Sequence, residues 1–125
     1  MLPDLHLLAD ADFCYLTTTG RVSGRPHIIE SWFAPHEHTL YLLSGARDQS
    51  DWFKSALRSP SVQVKINETV FSGQAHVVNE SNEDALARKL VAEKYTPRSS
   101  DDLGDWSRTS LPVAVDLRSN MSTSL

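Results

Sequence analysis

Two glycines frame a short basic turn that could bind an anion. Between Gly20 and Gly24 the chain reads Gly-Arg-Val-Ser-Gly, and Arg25 follows directly. Arg21 and Arg25 would supply guanidinium groups and Ser23 a hydroxyl, while the glycines permit backbone conformations that bring these donors together. This glycine-framed turn, residues 20–25, could grip a phosphate or a carboxylate. The same residues are common at the solvated tip of a β-hairpin, and the local sequence favours neither interpretation.

A second candidate anion site lies where a predicted strand ends and a helix begins. The strand ends at Ser44 and Gly45, Arg47 follows in the loop, and Ser50 opens the helix. Amide groups at a helix N-terminus attract negative charge, and Arg47 would add a cation beside them. This loop and the glycine-framed turn could hold the two ends of one acidic ligand. The alternative is that Gly45 only ends the strand and Arg47 pairs with a neighbouring aspartate.

Aromatic side chains could line a slot for a planar ring. Trp32 and Trp52 are the first candidates, because each is near the end of a strand or helix that adjoins a candidate anion loop. Hydride chemistry on such a ring needs water excluded and the ring held flat. Most other aromatic residues are expected in the core, and an apolar surface around Trp106 could be covered by a partner.

Other site chemistries find little support. His36 and His38 flank Glu37 in a predicted turn, but the spacing suggests no further ligands of the three or four that zinc needs, so we expect solvated histidines and no metal site. There is no Gly-x-Ser-x-Gly hydrolase motif and no Walker-type phosphate loop. Cys14 lies among apolar residues of a predicted strand, so a structural role is expected.

The composition is that of a small globular domain. The 125 residues are 40% hydrophobic and 22% charged, with 12 Lys+Arg against 16 Asp+Glu and a net charge of −4. This acidity argues against a nucleic-acid coat, and no apolar run reaches the roughly 20 residues of a membrane span. A single cysteine excludes an internal disulfide framework, and the N-terminus does not resemble a secretory signal, so we expect a cytoplasmic protein.

Hydrophobic patterning predicts antiparallel strands joined by hairpins. Six strands are expected, at residues 13–19, 25–34, 40–44, 62–66, 69–78 and 111–117. The first three would follow one another as a meander, and the next two would form a hairpin through Asn67 and Glu68. Helices are expected at residues 4–10, 50–59 and 81–95, with residues 96–110 irregular. The Ser50 hydroxyl would cap the second helix, and Ser81 with Asp84 has the spacing of a capping box on the third.

These elements predict a mainly β fold in one domain over residues 1–125. A small barrel would remove the exposed edges that six antiparallel strands leave in an open sheet. Residues 1–12 would be a helical lead-in, and residues 119–125 a flexible tail. A Rossmann fold is disfavoured because hairpins, not helices, connect the strands. Periodicity does not distinguish an OB-like barrel from a split barrel.

The order of motifs resembles the deazaflavin-dependent nitroreductase family. The segments that carry the resemblance are TTTGRVSGRPH at 17–27, LYLLSG at 40–45, SDWFKSALRSP at 50–60 and WSRTSLPVAVDL at 106–117. The family belongs to the FMN-binding split barrels related to pyridoxamine-phosphate oxidase. The resemblance implies a six-stranded antiparallel split β-barrel, often a homodimer. It also implies a 5-deazaflavin coenzyme of the 8-hydroxy-5-deazaflavin type, and hydride transfer to quinones, nitroaromatics or similar small-molecule acceptors.

The resemblance further implies which residues bind the coenzyme. Its negatively charged tail falls on Arg21 and Ser23, with Arg25 beside them, and its phosphate and ring fall on Ser44, Gly45, Arg47 and Trp52. His27 is included, although the family commonly has a basic residue there and has Lys at the position of Val22. Fewer fixed cations weaken the case for a long poly-glutamyl tail, and FMN, with one phosphate, would need fewer.

Other functions stay open at the level of sequence. FMN could replace the deazaflavin in the same fold, or the chain could be a non-catalytic carrier or sensor of a flavin-like or other anionic ligand. A single-strand nucleic-acid binder would need a basic groove with stacking aromatics, which the net charge disfavours. No catalytic residue is assigned: Tyr15, Tyr41 or Tyr95 could donate a proton, but packing is the commoner role.

Overall fold

A computed structural model describes residues 8–20, 22–45, 49–99 and 103–120, and its main element is a seven-stranded antiparallel sheet. The strands are β1 Cys14–Thr19, β2 Pro26–Ser31, β3 Ala34–His36, β4 Thr39–Ser44, β5 Ser61–Ile66, β6 Thr69–Val77 and β7 Leu111–Asn120. The helices are α1 Asp51–Arg58, α2 Ser81–Tyr95 and α3 Gly104–Thr109, with a 3-10 turn at Thr96–Arg98. The strand order is β2-β1-β5-β6-β7-β4-β3. No described helix is long and apolar enough to cross a membrane.

The mainly β, antiparallel fold expected from the sequence is confirmed, and period-two burial explains it. In β5, buried Val62, Val64 and Ile66 alternate with exposed neighbours, so one strand face enters the core. The predicted β5–β6 hairpin is present, with Ile66 opposite Thr69, and Asn67 takes the positive φ of 55° that its tight turn requires.

The strand count and the predicted meander are wrong, because the segment expected as one strand over residues 25–34 is broken at Trp32 and Phe33. Its first part, β2, pairs with β1, and the continuation, β3, pairs with β4. These are the two opposite edges of the sheet. Two residues therefore connect the edges, which requires the sheet to curl round on itself as a barrel does.

Side chains from the end of α2 account for the break. The backbone N–H of Phe33 donates to the Tyr95 hydroxyl at 3.0 Å, and the Lys94 ammonium donates to the Phe33 carbonyl at 3.0 Å. The Tyr95 hydroxyl also reaches the carbonyl of Asp12, at 2.8 Å. These contacts replace the ladder hydrogen bonds that Phe33 would make inside a strand, so its buried backbone groups remain satisfied.

The chain following α2 is more ordered than the sequence suggests. Residues 96–110, expected to be irregular, contain the 3-10 turn and α3. Strand β7 extends to Asn120, paired with Phe71 of β6, so the flexible tail expected from residue 119 is wrong for residues 119 and 120. The remainder of that tail lies outside the described residues. So does most of the predicted helix at residues 4–10.

Both predicted helix caps are replaced by other contacts. Ser50 makes no side-chain capping bond to α1, because its Oγ lies 2.9 Å from the Oγ of Ser44. On α2 the cap is Glu80, whose carboxylate accepts from the amides of Asn82 and Glu83 at 2.9 and 2.7 Å. The negative charge of Glu80 also suits the positive end of the helix dipole.

Two core clusters lie on opposite faces of β4 and β7. On β4, Leu40 and Leu42 enter the cluster that also holds Phe53 of α1, while Tyr41 and Leu43 enter the cluster under α2 and α3. This strand is buried on both faces, which explains why it reads as a continuous apolar run and not as an alternating one.

Replacing the Tyr95 hydroxyl tests how strongly it holds the break in the strand. Tyr95→Phe leaves the buried Phe33 N–H without its acceptor, so we expect a loss of about 1–3 kcal/mol in the free energy of unfolding. Tyr15→Phe is the matched control, because Tyr15 is 39% exposed and should change stability by less than about 0.5 kcal/mol. Urea denaturation measures both, and equal effects would contradict the role of Tyr95.

Lys94 makes stability depend on pH. Its ammonium lies 3.6 Å from the centre of the Phe33 ring, and burial, then the charge of Arg98, lowers the pKa of Lys94 from 10.5 to about 8. The unfolded chain retains this proton when the folded chain has lost it, so the free energy of unfolding rises with pH between these two values. The Cys14 thiol acts in the opposite direction above its ordinary pKa of 9.0, because burial raises its pKa to about 12.

We expect wild type to gain stability relative to Lys94→Met as pH rises from about 7 to about 9, by at most about 1 kcal/mol, because solvent screens a partly exposed amine. Keeping the measurement at or below about pH 9 limits the thiol contribution. Urea denaturation at several pH values gives the difference directly. A difference that stays constant with pH would contradict this assignment.

Candidate functional site

Two adjoining cavities form a groove along β2. The first, the turn compartment, has a volume of about 480 Å³ and is lined by Thr18, Gly20, Val22, Ser23, His27, Ile28, Ile29, Asp51, Trp52 and Ser55. The second, the tryptophan compartment, has a volume of about 580 Å³ and is lined by Ile29, Glu30, Ser31, Trp32, Leu43, Trp52, Leu103 and Trp106. Ile29 and Trp52 line both, so the two compartments adjoin each other.

Strand β2 sets the length of the groove. Residues from His27 to Trp32 line one compartment or the other in sequence order. At roughly 3.3 Å per residue, this wall is about 17 Å long. The groove therefore suits an elongated ligand, or two ligands placed end to end.

The glycine-framed turn closes one end of the groove as a hairpin loop between β1 and β2. The Gly20 amide donates to the Arg25 carbonyl at 2.8 Å, and the Gly24 amide donates to the Gly20 carbonyl at 2.9 Å. Gly24 has φ of 72°, a conformation that glycine adopts without strain. The Ser23 hydroxyl accepts from the Arg25 amide at 3.2 Å, so it is held inside the turn.

The lack of a side chain at Gly20 brings two predicted binding residues together. A Cβ there would lie 2.7 Å from the His27 ring and 2.9 Å from the Ser23 Oγ, so both groups occupy the space beside the glycine. Val22, 91% exposed, and Ile28, 67% exposed, form an apolar rim around them. Arg21 lies outside the described residues, although both of its neighbours in sequence line the compartment.

Ser44 and Gly45 lie behind the groove and are not among its lining residues. Ser44 is buried, and its contact with Ser50 ties the end of β4 to the start of α1. A Cβ on Gly45 would lie 2.9 Å from Nε1 of Trp106, so the glycine makes room for that indole. Both residues position parts of the site. Arg47 lies outside the described residues.

All three tryptophans of the chain line the tryptophan compartment. Trp32 stacks on Tyr95 with ring centres 4.3 Å apart and planes 4° apart. Trp106 meets Trp32 edge to face, with centres 5.5 Å apart and planes at 78°. Trp52 enters from the start of α1, as the sequence suggested for a planar-ring slot.

Arg88 holds α3, and with it Trp106, against α2. Its guanidinium donates to the carbonyls of Ser107, Arg108 and Ser110 at 2.7, 2.8 and 2.6 Å. An ion pair with Asp84 at 2.6 Å fixes the guanidinium from the other side. The four-residue spacing to Asp84 is visible in the sequence, but the reach to α3 is not, so the sequence did not identify Arg88.

The charges of the described lining residues are few. Asp51 lines the turn compartment and Glu30 the tryptophan compartment, while His27 would be cationic when protonated. No lysine or arginine is among the lining residues in the described part of the chain.

The other reactive groups considered from the sequence lie away from the groove. The Tyr41 hydroxyl donates to Glu83 at 2.8 Å, and burial together with that carboxylate raises the pKa of Tyr41. Burial likewise raises the pKa of Tyr95 to about 12. Cys14 is fully buried, which agrees with a structural role. Among the described residues, no three His, Cys, Asp or Glu side chains are grouped to hold a metal ion.

The contact between Gly45 and Trp106 can be tested by filling the space. Gly45→Ala would displace the Trp106 indole, so its Nε1–H resonance should shift in a ¹⁵N-correlated NMR spectrum. Gly24→Ala is the control, since a Cβ there meets nothing within 4 Å although it strains a positive φ. An unchanged Trp106 resonance in Gly45→Ala, or the same shift in both variants, would contradict the contact.

Three solved structures show the same fold at low sequence identity. An F420-H2 dependent reductase matches with a TM-score of 0.67 and 18% identity over 86% of this chain and 94% of that chain. A 5-nitroimidazole antibiotic resistance protein from Bacteroides thetaiotaomicron matches with a TM-score of 0.70 and 16% identity over 91% and 76%. A domain-swapped dimer matches with a TM-score of 0.68 and 17% identity over 83% and 79%.

No curated protein sequence matches the chain significantly. Residues 5–118, by contrast, match the sequence model of the family described as F420H(2)-dependent quinone reductase. This match covers most of the chain and confirms the deazaflavin-dependent relationship that the motifs of the turn, strand and helix suggested. The chain therefore belongs to the F420H(2)-dependent quinone reductase family and is an oxidoreductase.

Proposed function

We propose that this enzyme binds a reduced 5-deazaflavin coenzyme of the F420 type along the groove and reduces a quinone or a similar small acceptor. The observation that carries the proposal is that the two compartments adjoin at Ile29 and Trp52, with a glycine-framed polar turn at one end and an aromatic cavity at the other. Such a coenzyme has a charged tail and a planar ring, and these two ends of the groove suit the two parts.

The residues of the turn compartment fit the charged tail of such a coenzyme in shape. The space beside Gly20 brings the Ser23 hydroxyl and the His27 imidazole to the same end of the turn compartment, where they could donate hydrogen bonds to a phosphate or carboxylate. Asp51 lines the same compartment, so the tail must be placed away from that carboxylate. Arg21, between two lining residues in the sequence, would supply the fixed cation.

When bound, the reduced deazaflavin supplies a hydride, which is two electrons and one proton. A quinone that accepts the hydride needs one further proton to become a hydroquinone. The described groove lining offers the His27 imidazole and solvent for this second proton, while Tyr41 and Tyr95 are engaged elsewhere. The protein contributes chiefly by holding the ring flat against Trp52 and excluding water with the apolar lining.

FMN is the second candidate for the same compartment. The observation in its favour is that no lysine or arginine is among the described lining residues, and that Val22 stands where the family commonly has Lys. A ligand with one phosphate needs fewer cations than a poly-glutamyl tail.

Nitroaromatics extend the proposed acceptors, and a protein of the same fold is described as a 5-nitroimidazole resistance protein.

We also propose that the enzyme works as a homodimer. Strand β2 is largely exposed, and the apolar rim of Val22 and Ile28 lies on the open side of the groove. A partner that covered this rim would shield the turn compartment from water. The domain-swapped dimer among the structures of the same fold agrees with such pairing.

Side-by-side fluorescence titrations with oxidised F420 and FMN test the coenzyme. We expect F420 to bind wild type, and Arg21→Ala to weaken it by roughly tenfold or more, since a charge-assisted contact is lost. High salt should reduce the affinity of wild type more than that of the variant. Arg58→Ala is the control, because Arg58 is exposed in the last turn of α1 and does not line the groove.

Oxidation of reduced F420 in the presence of menadione then tests the reaction. The proposal requires turnover that depends on the acceptor. Binding of F420 without turnover on quinones or nitroaromatics would indicate a carrier, and binding of FMN alone would replace the coenzyme. Failure of both ligands to bind below the high micromolar range would overturn the assignment.

A further inference from the structure

The tryptophan compartment has the form of a binding site for one flat ring. Tyr95 covers one face of Trp32 by stacking on it at 4.3 Å. The Trp106 ring stands almost perpendicular to the Trp32 ring, with planes at 78°, so the two indoles form a corner. A planar aromatic ligand could stack on one indole and meet the edge of the other, which are the two favoured arrangements of aromatic pairs.

The lining of this compartment is mostly apolar. Besides the indoles, Ile29, Leu43 and Leu103 contribute hydrocarbon, and the Ser31 hydroxyl is already bonded to the Trp32 carbonyl at 3.0 Å. Glu30 is the only carboxylate among the described lining residues. The volume of about 580 Å³ lies within the range of small-molecule sites.

Trp52 places this cavity next to the proposed coenzyme. Its side chain lines both compartments, so a ring in one and a ring in the other would touch the same indole. Hydride transfer requires the reacting atoms to come within about 3–3.5 Å of each other, and this junction is where such an approach is possible.

We infer that the tryptophan compartment, with the three indoles as its walls and Glu30 at its edge, binds the electron acceptor and selects neutral or cationic aromatic rings over anionic ones. That the ligand is the electron acceptor rests on the proposed function, whereas the preference for neutral or cationic rings does not depend on it. A bound anion would face the charge of Glu30 with no described cation on the lining, and a bound cation would gain from both Glu30 and the indole faces.

Three nitroaromatic probes of nearly equal size and different charge test this preference: 4-nitrobenzylamine, 4-nitrobenzyl alcohol and 4-nitrobenzoate. The protein has three tryptophans, so ¹⁵N labelling gives three indole signals, which Trp→Phe variants assign. We expect the cationic and neutral probes to shift all three signals with one common Kd. The anion should bind at least about threefold more weakly than the alcohol, the effect of a unit charge several ångströms away in water.

Glu30→Gln should bring the affinities of the alcohol and the anion closer together by about threefold. Glu68→Gln is the matched control, since Glu68 is exposed in the β5–β6 turn and should leave the ratio unchanged. Unperturbed indole signals, or a shift of Trp52 alone, would overturn the inference. So would equal binding of the three probes to wild type.

The titration uses the protein without coenzyme, so its outcome is separate from that of the F420 experiments. Probe binding at the indoles without F420 turnover would leave the site standing and remove the proposed function. F420 turnover without indole shifts would do the reverse. Repeating the titration with saturating F420 completes the test, because displacement of the alcohol by the coenzyme would assign the cavity to the coenzyme ring and overturn its role as the acceptor site.

Discussion

The curled sheet depends on how two residues connect its opposite edges. Trp32 and Phe33 lie between β2, at one edge, and β3, at the other. Neither edge strand supplies the hydrogen bonds that Phe33 needs, so the Tyr95 hydroxyl and the Lys94 ammonium supply them from α2. Helix α2 thus fixes the connection between the two edges as well as covering the sheet. The same Tyr95 ring stacks on Trp32, which couples this connection to one wall of the groove.

The connection between the two edges also explains why the groove lies along β2. Strand β2 has only β1 as a ladder partner among the described strands, and its side chains remain largely exposed. An edge strand of this kind usually needs protection from pairing with another chain. Here Trp52 of α1 and Trp106 of α3 line the groove together with residues of β2.

How much could be predicted from the sequence depends on how far apart along the chain the interacting residues lie. Strands β1, β5 and β6 were predictable because alternating burial is a local pattern, and the glycine-framed turn and Trp52 were placed in the site by their own motifs. The break at Phe33 was not, because its cause lies at Tyr95, far along the chain. The predicted cap at Ser50 failed because its hydroxyl is bonded to Ser44 and not to the helix.

The candidate site divides in the same way. Much of its turn end comes from one hairpin, between Thr18 and Ile29, and only Asp51, Trp52 and Ser55 are added by α1. Its aromatic end combines Trp32, Trp52 and Trp106 from three separate segments, and its position depends on Arg88 holding α3 by three carbonyls. Such a constellation leaves no contiguous signature in the sequence. The turn end could therefore be read from a short motif, whereas the aromatic end depends on side chains that only the curled sheet and its helices bring together.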